Sequence, residues 1–309
     1  MNTLDRRTFL QTAGTLLTAS VLPSWAEAAA KRPFFQISLA EWSLHKALFA
    51  NKMTNLDFPV LAKKEFGISI VEYVSTFMKD KAQDKTYLNE LLLRCRDNGV
   101  SNHLIMIDGE GPLADLDAAK RNLAVENHKK WIECARYLGC KTIRVNAQGS
   151  GEPTEVAKAA VDGLSKLGEI GKASGINVIV ENHGGLSSNG AWLAGVMKQV
   201  GMKNVGTLPD FGNFCLKRNA ADWHICEESY DRYKGTEELL PFAKGVSAKT
   251  YDFDAQGNCI ETDYSRMISL MKASKFRGIV GIEYEGEKAD EYTGIRKTKA
   301  LLERLQRPA

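Results

Sequence analysis

The chain has 309 residues, 44% of them hydrophobic, and 41 Lys+Arg against 38 Asp+Glu leave a formal charge of +3. No basic tract alternates with aromatics, which argues against a nucleic-acid partner. No low-complexity linker and no break in composition marks a domain boundary.

Asp5-Arg6-Arg7-Thr8-Phe9-Leu10 is a twin-arginine pattern, followed by an apolar stretch from Ala13 to Leu22. That stretch is shorter than the about 20 residues a membrane span needs. Ala26-Glu27-Ala28 then offers a small-x-small cleavage site. The segment 1–28 therefore resembles a twin-arginine export signal, which places the mature protein in the periplasm or otherwise outside the cytoplasm. No cysteine lies near the cleavage site to carry a lipid, and no later stretch spans a bilayer, so no stable membrane insertion is expected after cleavage. Removal leaves roughly 280 residues, the size of one large α/β barrel or of two smaller domains.

Beyond the signal the pattern alternates between strand and helix. Apolar runs at Phe35–Ala40, Ser69–Val74, Asn102–Ile107, Thr142–Ala147, Asn177–Glu181, Val205–Asp210, Gly245–Thr250 and Gly278–Glu283 read as buried parallel strands. Helical spacing runs between them, with predicted inner faces Leu56/Val60/Leu61/Lys64, Leu88/Leu91/Leu92/Cys95 and Leu123/His128/Trp131/Ile132/Ala135. Lys and Glu mix along 157–172 as on a solvated helix face. Gly99, Gly139 and Gly175 stand where left-handed caps end helices. Eight such units point to a single (β/α)8 TIM barrel domain over 33–309. The first strand leads into Ser38-Leu39-Ala40-Glu41-Trp42-Ser43, not into the glycine-rich turn of a doubly wound sheet.

Six cysteines contain no CxxC pair, so a zinc–thiolate site is not expected. A Cys215–Cys226 disulfide after export is open on spacing alone.

Three strands end on carboxylates: Glu181, Asp210 and Glu283, each followed by turn residues. An acid at a buried strand end is costly unless paired. In a barrel these ends open on one face, and a divalent cation with oxygen ligands, Mg, Mn or Ca, would hold three acids together. The alternative is three unrelated acids that cap helices or meet lysines. Glu41, Glu72, Asn146, Gln148, His183, Asn213, Lys249 and Glu285 fall at the same rim, more polar chemistry than a packed barrel needs.

At Glu181–Asn189 (ENHGGLSSN), Thr207–Phe214 (TLPDFGNF), Val246–Asp254 and Gly281–Gly286, the chain resembles the sugar phosphate isomerase/epimerase superfamily, the xylose isomerase-like TIM barrels, in its exported branch. The resemblance spans about Gln36 to Leu305. It implies a divalent metal (Mg, Mn or Zn) on Glu181, Asp210 and Glu283, with Ser247 standing where the superfamily carries a histidine ligand. It also implies that Glu181 and Glu283 flank a sugar and move a proton next to a carbonyl, with Lys249 or the metal stabilising the enediolate oxygen.

His183 reads either as an acid/base or ligand group or as a loop hydrogen-bonder. Lys249 stabilises an oxyanion or simply neutralises Glu283. Glu41, Glu72, Asn146, Asn213 and Tyr251 are the candidates for sugar hydroxyls, against rim packing for the same residues. Trp42 and Tyr284 offer stacking or packing. His45, His103 and His224 read as structural, and Trp131 as core. The expected activity is that of an exported carbohydrate isomerase or epimerase. The alternatives are a lyase or hydratase on a keto-sugar or 3-keto-glycoside, and a non-catalytic sugar-binding barrel. A small-molecule sugar is the expected partner, and homo-oligomerisation is left open.

Overall fold

Residues 33–306 are described in a computed structural model; the predicted signal over 1–28 lies outside the described residues. The strands are β1 Phe35–Ala40, β2 Ile70–Val74, β3 Ser101–Met106, β4 Thr142–Val145, β5 Asn177–Glu181, β6 Val205–Leu208, β7 Cys215–Arg218, β8 Cys226–Ser229, β9 Val246–Thr250 and β10 Gly278–Tyr284. Eight of them form one parallel sheet in the order β6-β5-β4-β3-β2-β1-β10-β9. Its two edge strands meet through isolated parallel bridges, Thr207 with Ala243 and Asp210 with Ser247. Ser247 N donates to Pro209 O at 2.9 Å and Phe211 N to Ser247 O at 3.1 Å across that junction. The result is a nearly closed (β/α)8 barrel.

Side-chain parity divides each strand between two cores, because successive residues point to opposite faces. Val178 and Val180 of β5 pack outward against the helices, as do Ile143 and Val145 of β4. Ala40, Val74, Leu104, Met106, Ile179 and Leu208 form a separate apolar cluster. Its members have inward parity and fill the barrel. On the same parity lie Ser38, Glu72, Arg144, Glu181, Ser247, Lys249 and Glu283, all buried.

The helices follow the predicted spacing, and the predicted caps form. Gly139 and Gly175 close their helices at φ 78° and 71°, and Gly99 stands at φ 62°. Two predicted faces are corrected. Helix Phe58–Phe66 buries Phe58, Pro59, Ala62 and Phe66, since Pro59 begins the helix later than Leu56 and rotates the buried stripe. Leu123 is exposed, because helix Ala118–Leu138 turns Ala124, His128, Trp131, Ile132 and Ala135 inward.

One element was absent from the sequence reading. Between β6 and β9, strands β7 and β8 pair antiparallel as a hairpin outside the barrel. A Cys215–Cys226 disulfide closes it, with the Cα atoms 5.8 Å apart.

Candidate active site

The ends of β5, β6, β9 and β10 bring Glu181, Asp210, Ser247, Lys249 and Glu283 together. Register explains the meeting: Lys249 is the cross-strand partner of Glu283, and Ser247 is bridged to Asp210. One carboxylate oxygen from each of Glu181, Asp210 and Glu283 lies within 4.8 Å of the others, and all three residues are buried.

Each acid is held by named partners. Asp210 Oδ1 accepts from Gly212 N at 2.8 Å and Asn213 N at 2.7 Å. Asn182 clamps the same turn, accepting from Asp210 N at 2.8 Å and donating to Asp210 O at 2.9 Å. Asn213 Nδ2 donates to Glu181 Oε1 at 2.9 Å, while Asn213 Oδ1 accepts from Lys249 Nζ at 3.2 Å. Lys249 Nζ also lies 3.1 Å from Glu283 and 3.3 Å from Glu285. Gly212 leaves room for it, since a Cβ there would come within 2.9 Å of Lys249 Cδ and push the lysine aside.

Arg144, on inward-facing β4, was missed by the sequence reading. Its Nη1 donates to Asp108 Oδ1 at 2.8 Å, and its Nε lies 2.8 Å from Glu181 Oε2. The latter pair is close but off the hydrogen-bonding line, so both atoms remain without a hydrogen bond. The contact is ionic in character. The available signal was a charged residue inside the apolar run Thr142-Ile143-Arg144-Val145, at the inward parity of the strand.

The charges do not balance. Two cations, Arg144 and Lys249, face the carboxylates of Asp108, Glu181, Asp210, Glu283 and Glu285, with Glu72 close enough to feel Glu181 and Glu283. Burial raises Glu181 and Asp210 to about 7, against the lowering pull of Arg144 on the first and Lys249 on the second. Burial likewise lifts Glu72 to about 7. Lys249 goes the other way: burial would lower it, but Asp210, Glu283 and Glu285 hold it well above its ordinary value. Ser247 Oγ stands 2.6 Å from Asp210 Oδ2 and 2.9 Å from Glu283 Oε2. One hydroxyl has one proton, so the second contact is favourable only if a carboxyl carries its own proton or a cation screens the pair. Excess negative charge and an oxygen-only donor set both fit a divalent ion at this point.

The other sequence candidates separate. His183 is solvent-exposed beside the cluster and does not join the three converging ligands among the described residues. Asn213 is central, as above. Tyr251 is half-buried, its hydroxyl against Gly212. Asn146 donates to Asp108 at 2.7 Å, and its Oδ1 is left without a partner.

Glu41 is corrected. It is fully buried, accepting from Asn55 Nδ2 at 2.8 Å and Val74 N at 2.9 Å. Both oxygens are spent on bracing β2, not on a ligand. Glu72 also fails to reach the rim. It lies inside the barrel, accepting from Ser38 at 2.6 Å, in a space that exists because position 281 is glycine: a Cβ there would stand 2.7 Å from Glu72 Oε2. Tyr284 is core, with its hydroxyl on Ala289 O at 3.0 Å. Trp42 stacks on His45 and donates to Glu285. Trp131 is core as predicted.

A cleft of about 830 Å³ opens beside the cluster, with His183 and Asn213 in its lining.

The sequence profile described as "Xylose isomerase-like TIM barrel" matches residues 60–306. No curated protein matches the chain by sequence. Among solved structures, an L-ribulose 3-epimerase is similar at TM-score 0.66 and 15% identity, covering 88% of this chain and 94% of its own. The IOLI protein with a bound zinc atom is similar at TM-score 0.65 and 15% identity, covering 88% and 98%. A xylose isomerase-like TIM barrel protein from Mycobacterium smegmatis, in complex with magnesium, is similar at TM-score 0.59 and 16% identity, covering 79% and 85%. At such identities the likeness carries the fold alone.

Proposed function

Because the chain belongs to the xylose isomerase-like TIM barrel family, we propose that it is a carbohydrate isomerase or epimerase that moves a proton on a carbon next to a carbonyl. The observation that carries this reading is the convergence of Glu181, Asp210 and Glu283 within 4.8 Å at the barrel mouth. Sugar epimerases among the structural neighbours support it.

Glu181 and Glu283 come from separate strands, β5 and β10. A carbon between them can lose a proton to one carboxylate and regain one from the other, which inverts the centre. Lys249, ammonium-charged and 3.1 Å from Glu283, is placed to stabilise negative charge that develops on the carbonyl oxygen. Asn213 ties Glu181 and Lys249 to one backbone turn and so fixes their separation. Arg144 keeps Glu181 oriented from behind. Glu181, Asp210 and Glu283 would hold the metal, which when bound polarises the carbonyl as a Lewis acid. Oxygen donors favour Mg or Mn; the zinc- and magnesium-bound neighbours leave both kinds of ion in view.

The protein also works outside the cytoplasm in this reading. The Arg6-Arg7 signal pattern supports export, and the Cys215–Cys226 disulfide suits an oxidising compartment.

The test is exchange of the carbon-bound proton in deuterated water, on a panel of keto-sugars, with metal content measured on the same sample. Exchange accompanied by a configurational change is the expected result. Absence of exchange on every keto-sugar by metal-loaded protein would overturn the reading.

A further inference from the structure

The hairpin β7–β8 has no part in the barrel, yet Leu216, Arg218 and Trp223 line the same cleft as His183 and Asn213. Trp223 is 73% exposed, more than any other large apolar side chain among the described residues. It is nevertheless tethered. Arg218 Nη1 donates to Trp223 O at 3.0 Å, and the Arg218 guanidinium lies 5.2 Å from the indole ring. The Cys215–Cys226 disulfide ties the two strands that carry this turn. Ordering a large aromatic costs conformational entropy, and burial normally offsets it. Here the burial is missing, and the ring faces a cleft continuous with a candidate sugar site.

The cleft, at about 830 Å³, lies near the upper end of pockets that enclose a drug-sized ligand, roughly 300–1,000 Å³. One monosaccharide at the carboxylates leaves the hairpin side empty. The lining there carries one cation, Arg218, and one acid, Asp115, among polar neutral groups such as Gln148. No cluster of cations awaits a phosphate. An apolar ring face edged by hydrogen-bonding groups matches a pyranose, whose C–H face is apolar and whose rim is hydroxyl.

We propose that the stapled hairpin is a second sugar subsite, with Trp223 as its platform, so that the substrate is an uncharged glycoside of two rings. One ring lies at Glu181 and Glu283, and the next lies against Trp223. Assignment of the first ring rests on the proton-transfer chemistry proposed above; the second subsite does not.

Calorimetric titration of the mature protein with glucose and with maltose, cellobiose, sucrose and trehalose tests it. At least one disaccharide should bind tenfold or more tightly than glucose, a margin of about 1.4 kcal/mol. Trp223→Ala should erase that margin, and Trp223→Phe should keep part of it. Both changes fall on an exposed side chain and leave the barrel core untouched. Equal affinities for one and two rings would overturn the subsite, as would a margin that survives in Trp223→Ala. Sucrose and trehalose carry no free carbonyl, so with them binding is read apart from turnover, and analysis of the recovered sugar checks that glucose, maltose and cellobiose return unchanged. A missing margin alongside proton exchange on keto-sugars removes the subsite and leaves the chemistry. The margin without any exchange removes the chemistry and leaves the subsite.

Discussion

Arg144 Nε stands 2.8 Å from Glu181 Oε2, with the guanidinium only 5% exposed and the carboxylate 1%. The same guanidinium holds Asp108. Removing it strips the buried Glu181 carboxylate of its nearest cation and frees the part-exposed Asp108. Arg144→Met is therefore expected to destabilise the fold by about 3–5 kcal/mol. Arg144→Lys should recover part of this, since one ammonium cannot serve both acids in the geometry of a planar fork. Denaturant titrations check both variants. A loss below about 1 kcal/mol for the Met variant, the scale of an exposed ion pair, would deny Arg144 its bracing role.

Glu181→Gln and Glu283→Gln should each lower proton exchange by about 10²–10⁴-fold, the usual cost of a positioned base. Metal analysis of both variants separates loss of the base from loss of the ion. Comparable, deep losses fit a two-base inversion. If Glu283→Gln retains near wild-type exchange, Glu283 is not the base and Glu181 must act alone.

Metal addition should raise the melting temperature of the wild-type protein. At 100 times Kd the gain is about 2.7 kcal/mol. Asp210→Asn keeps the shape of the side chain but removes one of the three converging charges, so most of that gain should vanish, and chelation should change the variant little. An equal thermal shift with Mg, Mn or Zn in wild type and variant would place the ion elsewhere.

Stability should fall with rising pH through Glu41. Burial lifts this carboxyl to about 8, outweighing the hydrogen bonds from Val74 and Asn55 that lower it. In the unfolded chain it titrates near 4.3. Between those values the native state holds a proton that the unfolded state has lost. The contribution is thus complete below about 4.3 and disappears as pH rises through about 8. Urea unfolding at pH 5 and pH 8.5 should show the wild type losing a few kcal/mol, on the order of magnitude set by such a shift, relative to Glu41→Gln. Parallel pH profiles for the two proteins would contradict this.

Protein recovered from the exported fraction should lack about 28 residues from its N-terminus, an expectation motivated by Arg6-Arg7 and Ala26-Glu27-Ala28. Intact mass decides it. Full-length protein confined to the cytoplasm would contradict both the signal and the compartment proposed for the disulfide.

The barrel was legible because all its strands read as apolar runs and three of them also end on carboxylates followed by turns. The three acids were legible for the same reason. What the sequence left hidden was parity. Glu41 sits one residue past β1 and resembles Glu181 in the string, yet its side chain is tied to Asn55 and Val74 N while Glu181 faces the barrel. Arg144 has inward parity too, but it sits inside β4 with no turn residue behind it, so the string carries no strand-end signal at that position. The hairpin was hidden because Cys215–Ser229 lacks an apolar alternation; its strands are held by a disulfide in place of a buried face.

The junction between β6 and β9 is joined only by isolated bridges, whereas every other neighbouring pair in the barrel forms a ladder, broken by a single register shift between β2 and β3. Asp210 and Ser247 are one of those bridges. Local opening of a fold begins where backbone pairing is sparsest. The amides of Phe211 and Ser247 should therefore exchange with solvent hydrogen sooner than those of β1 or β10. The carboxylate cluster is built across the one slit of the barrel stave-work, so an ion seated there would act as a rivet, joining the two staves that the backbone itself joins least.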